Sequence, residues 1–179
     1  MQDCQDFFQR HAGRGSLSRE LQHIDARTQL AWEADMASTH SPCPVYDDEH
    51  LARQVLDPAF FDAETGEVKP ALFDDASSRG ASTNRRRYAS DAELHTRGVE
   101  RAALASVQSS RRKTYIGFVS VTVREVRKIT AELDGASRRA VGVYDTALAA
   151  DRSHADICQL IGGRARARSA RSQLYQLAK

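Results

Sequence analysis

Residues 114–161 read TYIGFVSVTVREVRKITAELDGASRRAVGVYDTALAADRSHADICQLI, and this stretch decides the fold. Ile116, Phe118, Ser120 and Thr122 alternate with Gly117, Val119, Val121 and Val123. That two-residue period is a strand with both faces at least partly buried. Val126, Ile129 and Leu133 then fall at i, i+3 and i+7, one face of a helix. The spacing predicts a helix over 123–133, opened by Thr122-Val-Arg-Glu125 as a capping box and closed at Gly135. Ala140 to Tyr144 returns as a strand. Residues 154–161, with Ala155, Ile157 and Cys158, fit a strand or a helix by periodicity, and the short length bounded by Gly162-Gly163 favours a strand.

Outward from this stretch the elements are plainer. Residues 165–178 read as a helix with Leu174 and Leu177 inward and Arg164, Arg168 and Arg171 as a basic stripe. Ser90-Asp-Ala-Glu93 is a second capping box, opening a helix over 91–109 that Gly98 weakens by up to ~1 kcal/mol relative to Ala. Residues 59–73 read as a β-hairpin turning at Gly66. Asp47 to Leu56 reads as a short helix with Leu51 and Val55 on one face, and a further helix spans 17–37. Residues 1–15 read as poorly structured, broken by Gly13 and Gly15, and Pro42 and Pro44 mark a linker over 38–46. The expected fold is α+β: a single small mixed sheet with packed helices in residues 46–179, and a detachable N-terminal helical appendage in residues 1–45.

Composition bounds the function. The 179 residues are 41% hydrophobic and 28% charged, an ordinary globular balance. No apolar run approaches the roughly 20 residues of a membrane span. The first residues lack the pattern of a secretory signal, and Cys4, Cys43 and Cys158 are too few and too scattered for a disulfide framework. These features point to a reducing cytoplasm. Of the 26 basic residues 22 are Arg, a usage common in GC-rich bacterial genomes. Residues 1–100 carry a net charge of −7 and residues 101–179 a net +9. The two halves can neutralise each other within the fold, or leave a basic face for an anionic partner.

Catalytic signatures are absent: no phosphate loop, GxGxxG, GxSxG, HExxH or paired CxxC. Cys4, His40 and Cys43 lack the second close pair that a structural zinc site needs, so neither metal nor cofactor is expected. Ala81 to Tyr88 (ASTNRRRY) is the most suggestive polar run. Arg85, Arg86 and Arg87 carry guanidinium forks suited to phosphate, or else sit on a charged edge strand. His154, at the mouth of a core element beside Ser153 and Asp156, either caps a loop through a backbone hydrogen bond, the favoured reading, or serves in general acid/base work with Arg85, Arg86 and His50 as companions.

The order LARQVLDP (51–58), KPALF (69–73), ASTNR (81–85), a helix, IGFVSVTV (116–123) and DRSHADI (151–157) resembles a loose group of small uncharacterised bacterial proteins. The likeness covers roughly residues 50–175 and departs at Leu56 and Asp57, where a His is frequent before the Pro. It implies a single α+β domain with a strand at 154–161, and carries no activity. The leading functional expectation is therefore a cytoplasmic, non-enzymatic protein-interaction or accessory protein with a protein partner. The alternatives are a nucleic-acid-binding module using Arg85, Arg86, Arg87, Arg164, Arg168 and Arg171, weak at most, and a small phosphodiesterase or transferase-like enzyme centred on His154.

Overall fold

A computed structural model describes residues 2–11 and 15–178; Gly13, invoked above, lies outside the described residues. The architecture is α+β. Strands β1 (His50–Asp57), β4 (Ala81–Arg85), β5 (Thr114–Thr122), β8 (Val141–Tyr144) and β9 (His154–Gln159) form one sheet in the order β5-β1-β4-β9-β8. All its pairings are antiparallel, where a mixed sheet was expected. Two short ribbons, β2–β3 (Phe61–Asp62, Glu67–Val68) and β6–β7 (Thr130–Leu133, Ala136–Arg139), project from it.

Register sorts the side chains onto two faces. Leu51 and Val55 share one face with Val121, Ala81, Ala155, Ile157 and Val143. Helices α5 (Val123–Arg127) and α6 (Arg164–Leu177) and a 3-10 segment (Pro70–Ser77) cover this face, burying Val126, Leu174, Leu72 and Phe73 in the main core. The other face is covered in two pieces. Helix α4 (Asp91–Ser109) lies over β1 and β5, with Leu94 against Ala52 and Phe118. Helices α1 (Gln2–His11), α2 (Leu17–Leu21) and α3 (Ala26–Glu33) lie over β8 and β9.

Several local expectations give way to the tertiary structure. Residues 47–56 are mainly strand β1: Leu51 and Val55 at i, i+4 satisfy both a helical and a strand period, and both faces of β1 are buried. The helix expected over 123–133 stops at Arg127, because Asp134 (φ 54°) and Gly135 (φ 76°) form a tight hairpin turn that recruits 130–133 into β6. Thr122 makes no side-chain cap there. The helix expected over 17–37 is two, since Asp25 caps α3 by accepting from Thr28 N at 3.0 Å. The capping box at Ser90 and Glu93 is present as expected.

The N-terminal segment is not detached from the sheet. Cys4, Phe7, Phe8, Leu17 and Leu21 are buried with Tyr144, Cys158 and Leu160 in a second core. Burial pushes the Cys4 thiol up to about 12, assisted by the charge of Asp35. Buried Glu33 accepts Val143 N at 2.7 Å and Arg127 Nε at 3.0 Å, and also pairs with Arg139. Arg127 reaches Asp47 at 2.6 Å, and Arg171 pairs with Asp74. The basic half of the chain thus spends part of its excess on the acidic half.

Two outcomes follow. Deleting residues 1–44 removes Glu33 and uncovers Tyr144, Cys158 and Leu160, so the remainder is expected to lose its near-ultraviolet dichroism or become insoluble; an intact spectrum would show that residues 45–179 fold alone. Gly98 is needed for contact rather than tolerated, because a Cβ there would stand 2.2 Å from the Tyr115 ring. Gly98→Ala should cost about 1–3 kcal/mol by overpacking, against a propensity gain of ~1 kcal/mol, as read by urea denaturation.

Candidate functional site

Beyond Leu51 and Ala52, β1 and β4 pair no further. Arg53 takes over where they part: its guanidinium donates to Ser82 O at 2.7 Å, Leu72 O at 2.6 Å and both Asp75 oxygens at 2.7 and 2.8 Å. On the opposite side of this split, between α4 and the loop before α2, lies a cleft of about 520 Å³. Its polar lining includes Ser82, Arg101, Lys113, Thr146, His154 and Asp156, and its apolar wall includes Leu56, Phe60, Leu104 and Leu148.

His154, the first residue of β9, lines this cleft. Its Nδ1 is 3.0 Å from Thr146 O and 3.0 Å from Thr146 Oγ1, and the Thr146 hydroxyl donates to Asp156 Oδ2 at 2.8 Å. With that hydroxyl proton spent on Asp156, both Thr146 oxygens are acceptors for an Nδ1–H. This tautomer leaves Nε2 as an acceptor, with no hydrogen bond to it among the described residues. Among the described residues no serine, cysteine or threonine nucleophile is hydrogen-bonded to His154 apart from Thr146, whose proton is already committed.

The companions proposed for His154 do not join it. Arg85 pairs with Leu51 in register and Asn84 with His154, so Arg85 projects from the opposite face. It is fully buried, and its guanidinium donates to Glu49 (2.6 and 2.8 Å), Asp145 (2.8 Å), Cys43 O (2.8 Å) and Pro44 O (3.0 Å). Burial alone would lower the Arg85 pKa, yet hydrogen bonds to Glu49 and Cys43 and the charge of Asp145 hold it above that of a free arginine. Burial works the other way on Asp145, raising its pKa against the pull of Arg85. The close, multiply bonded geometry makes the ionised pair the state of this cluster. Arg85 therefore has no N–H left for a ligand, and β4 is a central strand rather than a charged edge.

Arg86 is exposed, pairs with Asp91 at 2.7 Å and stacks over Phe118, while Arg87 lies over the Tyr46 ring. His50 is exposed at the far end of β1, 3.5 Å from Thr122 Oγ1. Arg164, Arg168 and Arg171 do line one small groove, which also contains Asp74. The six arginines named as binding residues are thus divided between a buried cluster, one exposed loop and one helix groove. Cys4 lies against Trp32 and Cys43 against Tyr88 and Arg85, in separate places.

Known proteins add nothing to this geometry. No protein family, curated protein or solved structure matches the chain.

Arg97 and Arg101, one helical turn apart on α4, were passed over in the sequence. Arg97 joins α4 to the sheet, donating to Asp151 and Ser153 at 2.6 Å each, and Asn84 bonds the same two side chains. The i, i+4 spacing was legible, but nothing local says which flank of α4 faces a cleft. The test of the Arg85 assignment is thermodynamic. Arg85→Met leaves two carboxylates uncompensated and should cost about 3–5 kcal/mol in chemical denaturation, with Arg86→Gln near neutral.

Proposed function

We propose that the protein is a non-enzymatic interaction protein of a bacterial cytoplasm that receives an extended segment of a partner on strand β5. The observation that carries this reading is the outer edge of β5. The strand runs nine residues, about 30 Å at ~3.4 Å per residue, and among the described residues pairs only with β1. No main-chain hydrogen bond reaches its other edge among the described residues. TYIGFVSVT contains no charge and no proline, the devices that commonly blunt an exposed edge.

The flanks indicate the partner's chemistry. Arg111 and Arg112 precede the strand and Arg124 follows it, all exposed and without an ion pair among the described residues. A second copy pairing antiparallel would set Arg111 and Arg112 of each chain beside Arg124 of the other, a like-charge arrangement. An extended segment with an uncharged centre and acidic ends meets both cationic ends. Exposed Ile116 and, on α4, Val99 add apolar surface. Val99 follows His95 by one helical turn, and the His95 ring packs on Tyr115 and Phe118 of β5. Main-chain pairing supplies affinity in this recognition mode, and the flanking side chains supply selectivity.

Support for the compartment is compositional: three free cysteines, Arg in large excess over Lys, and no helix among the described residues long and apolar enough to cross a membrane. Residue placement gives the nucleic-acid alternative less support, since Arg85 is internal and Arg171 is paired.

Fluorescence anisotropy with a labelled peptide holding a Val-Thr-Val-Ser-Val-Thr core between Asp-Glu pairs tests the reading. The peptide should bind with an affinity that falls as salt rises, and slow amide exchange across residues 114–122; a Lys-Arg-flanked version should not bind. Replacing Arg111, Arg112 and Arg124 by Gln should weaken binding about tenfold, at ~0.2–1 kcal/mol per exposed pair. Absence of binding at low salt, or sedimentation as a dimer joined through β5, would overturn it.

A further inference from the structure

Beyond the edge strand, the cleft beside β4 and β9 has an electrostatic imbalance. Arg101 reaches into it from α4, and its only hydrogen bond among the described residues is a long one, 3.5 Å, to Gln54 Oε1. No carboxylate lies within ion-pair distance of it among the described residues. Burial lowers its pKa, and the charge of Arg53 adds to that, so its surroundings disfavour a lone cation. Asp75, the carboxylate whose charge helps Arg101 most, is already held by Arg53 at 2.7 Å and approached by Arg79 at 3.7 Å.

Charge counting points to what is missing. Arg79, Arg101 and Lys113 line the cleft with Asp75 and Asp156; Arg53, behind the wall, already neutralises Asp75, so three cations meet one uncompensated carboxylate and two positive charges remain. We propose that this cleft is a binding site for a phosphate monoester dianion carrying a compact apolar group, with Arg101 as the principal anchor. A guanidinium presents its donors in a fork that matches a phosphate face. Lys113 supplies a second charge, and His154, with Nδ1 tied to Thr146, offers Nε2 as an acceptor for a ligand hydroxyl. Leu56, Phe60, Leu104 and Leu148 form the wall for the apolar group, and about 520 Å³ matches a small ligand. Part of that wall is exposed: Leu104 is 58% and Leu148 48% accessible, as suits residues a ligand covers. The proposal involves binding alone and no bond-breaking step.

Isothermal titration calorimetry of the full chain with phenyl phosphate, inorganic phosphate, benzoate and phenol, in a phosphate-free buffer, tests it. Phenyl phosphate should bind saturably, tighter than inorganic phosphate, which lacks the apolar group, and tighter than benzoate, which carries one charge. Phenol should not bind. Arg101→Gln should weaken phenyl phosphate by about tenfold to a hundredfold, the worth of a hydrogen bond to a charged group, and Arg101→Lys should lose less. Should Arg101→Gln not fold, Lys113→Gln and amide shift changes at Ser82, Arg101 and His154 in the wild-type chain provide the same test. Failure of phenyl phosphate to bind at millimolar concentration, equal binding of benzoate, or unchanged affinity in the folded Arg101→Gln variant would overturn the proposal. None of these outcomes depends on the acidic peptide, whose contacts lie along β5.

Discussion

The fold depends on one buried cation. Arg85 ends β4 with its side chain in the interior, and it binds the carboxylates of Glu49 and Asp145 together with the carbonyls of Cys43 and Pro44. Those four partners come from the proline segment, the entry to β1 and the exit from β8. A charge removed from water is costly unless it is paired and fully hydrogen-bonded, and here each guanidinium nitrogen is used. The arrangement is therefore specific: the segment 43–49 cannot move away without leaving Arg85 or its carboxylates uncompensated. Tyr88 closes the cluster, its ring 4.7 Å from the guanidinium carbon.

The same device recurs at other seams. Arg53 bridges the split between β1 and β4 and bonds the 3-10 segment through Leu72 O and Asp75. Glu33 ends α3 and gathers Arg127, Arg139 and the main-chain amide of Val143. Arg97 fastens α4 to the loop before β9. Hydrophobic burial supplies the driving force in both cores, but it is non-directional. The buried ionic groups set which loop meets which strand.

That economy leaves two places unfinished. The split that Arg53 spans opens the cleft, where Arg101 has no carboxylate within ion-pair distance among the described residues. Among the described residues, the edge of β5 keeps unpaired main-chain groups between arginines without an ion pair. Both combine unmet hydrogen-bonding capacity with positive charge and some exposed apolar surface. One lies beside the centre of the sheet and the other along its border, and Lys113, directly before β5, lines the first.

The sequence alone determined the elements whose signals are local. The capping box at Ser90 and Glu93, the strand alternation of 114–122 and the Leu174 stripe each fix an element without reference to distant residues, whereas the apolar run at 154–161 left strand and helix open and its length only favoured a strand. It also located His154 correctly at a strand end, though not its bonds to Thr146. Two local signals were present and outweighed: Asp134-Gly135 as a hairpin turn within a helical period, and the double meaning of Leu51 and Val55. Only the tertiary structure decided the roles of the arginines. Arg85, Arg86 and Arg87 are consecutive and chemically identical, yet one is the centre of the interior and two are at the surface. Strand β4 ends at Arg85, whose register turns its side chain inward, while Arg86 and Arg87 stand in the turn that follows, and the carboxylates that receive Arg85 lie 36 and 60 residues away in the chain. A partner at that separation has no local signature, and neither does its absence, which is why Arg101 stood out only once the cleft was in view.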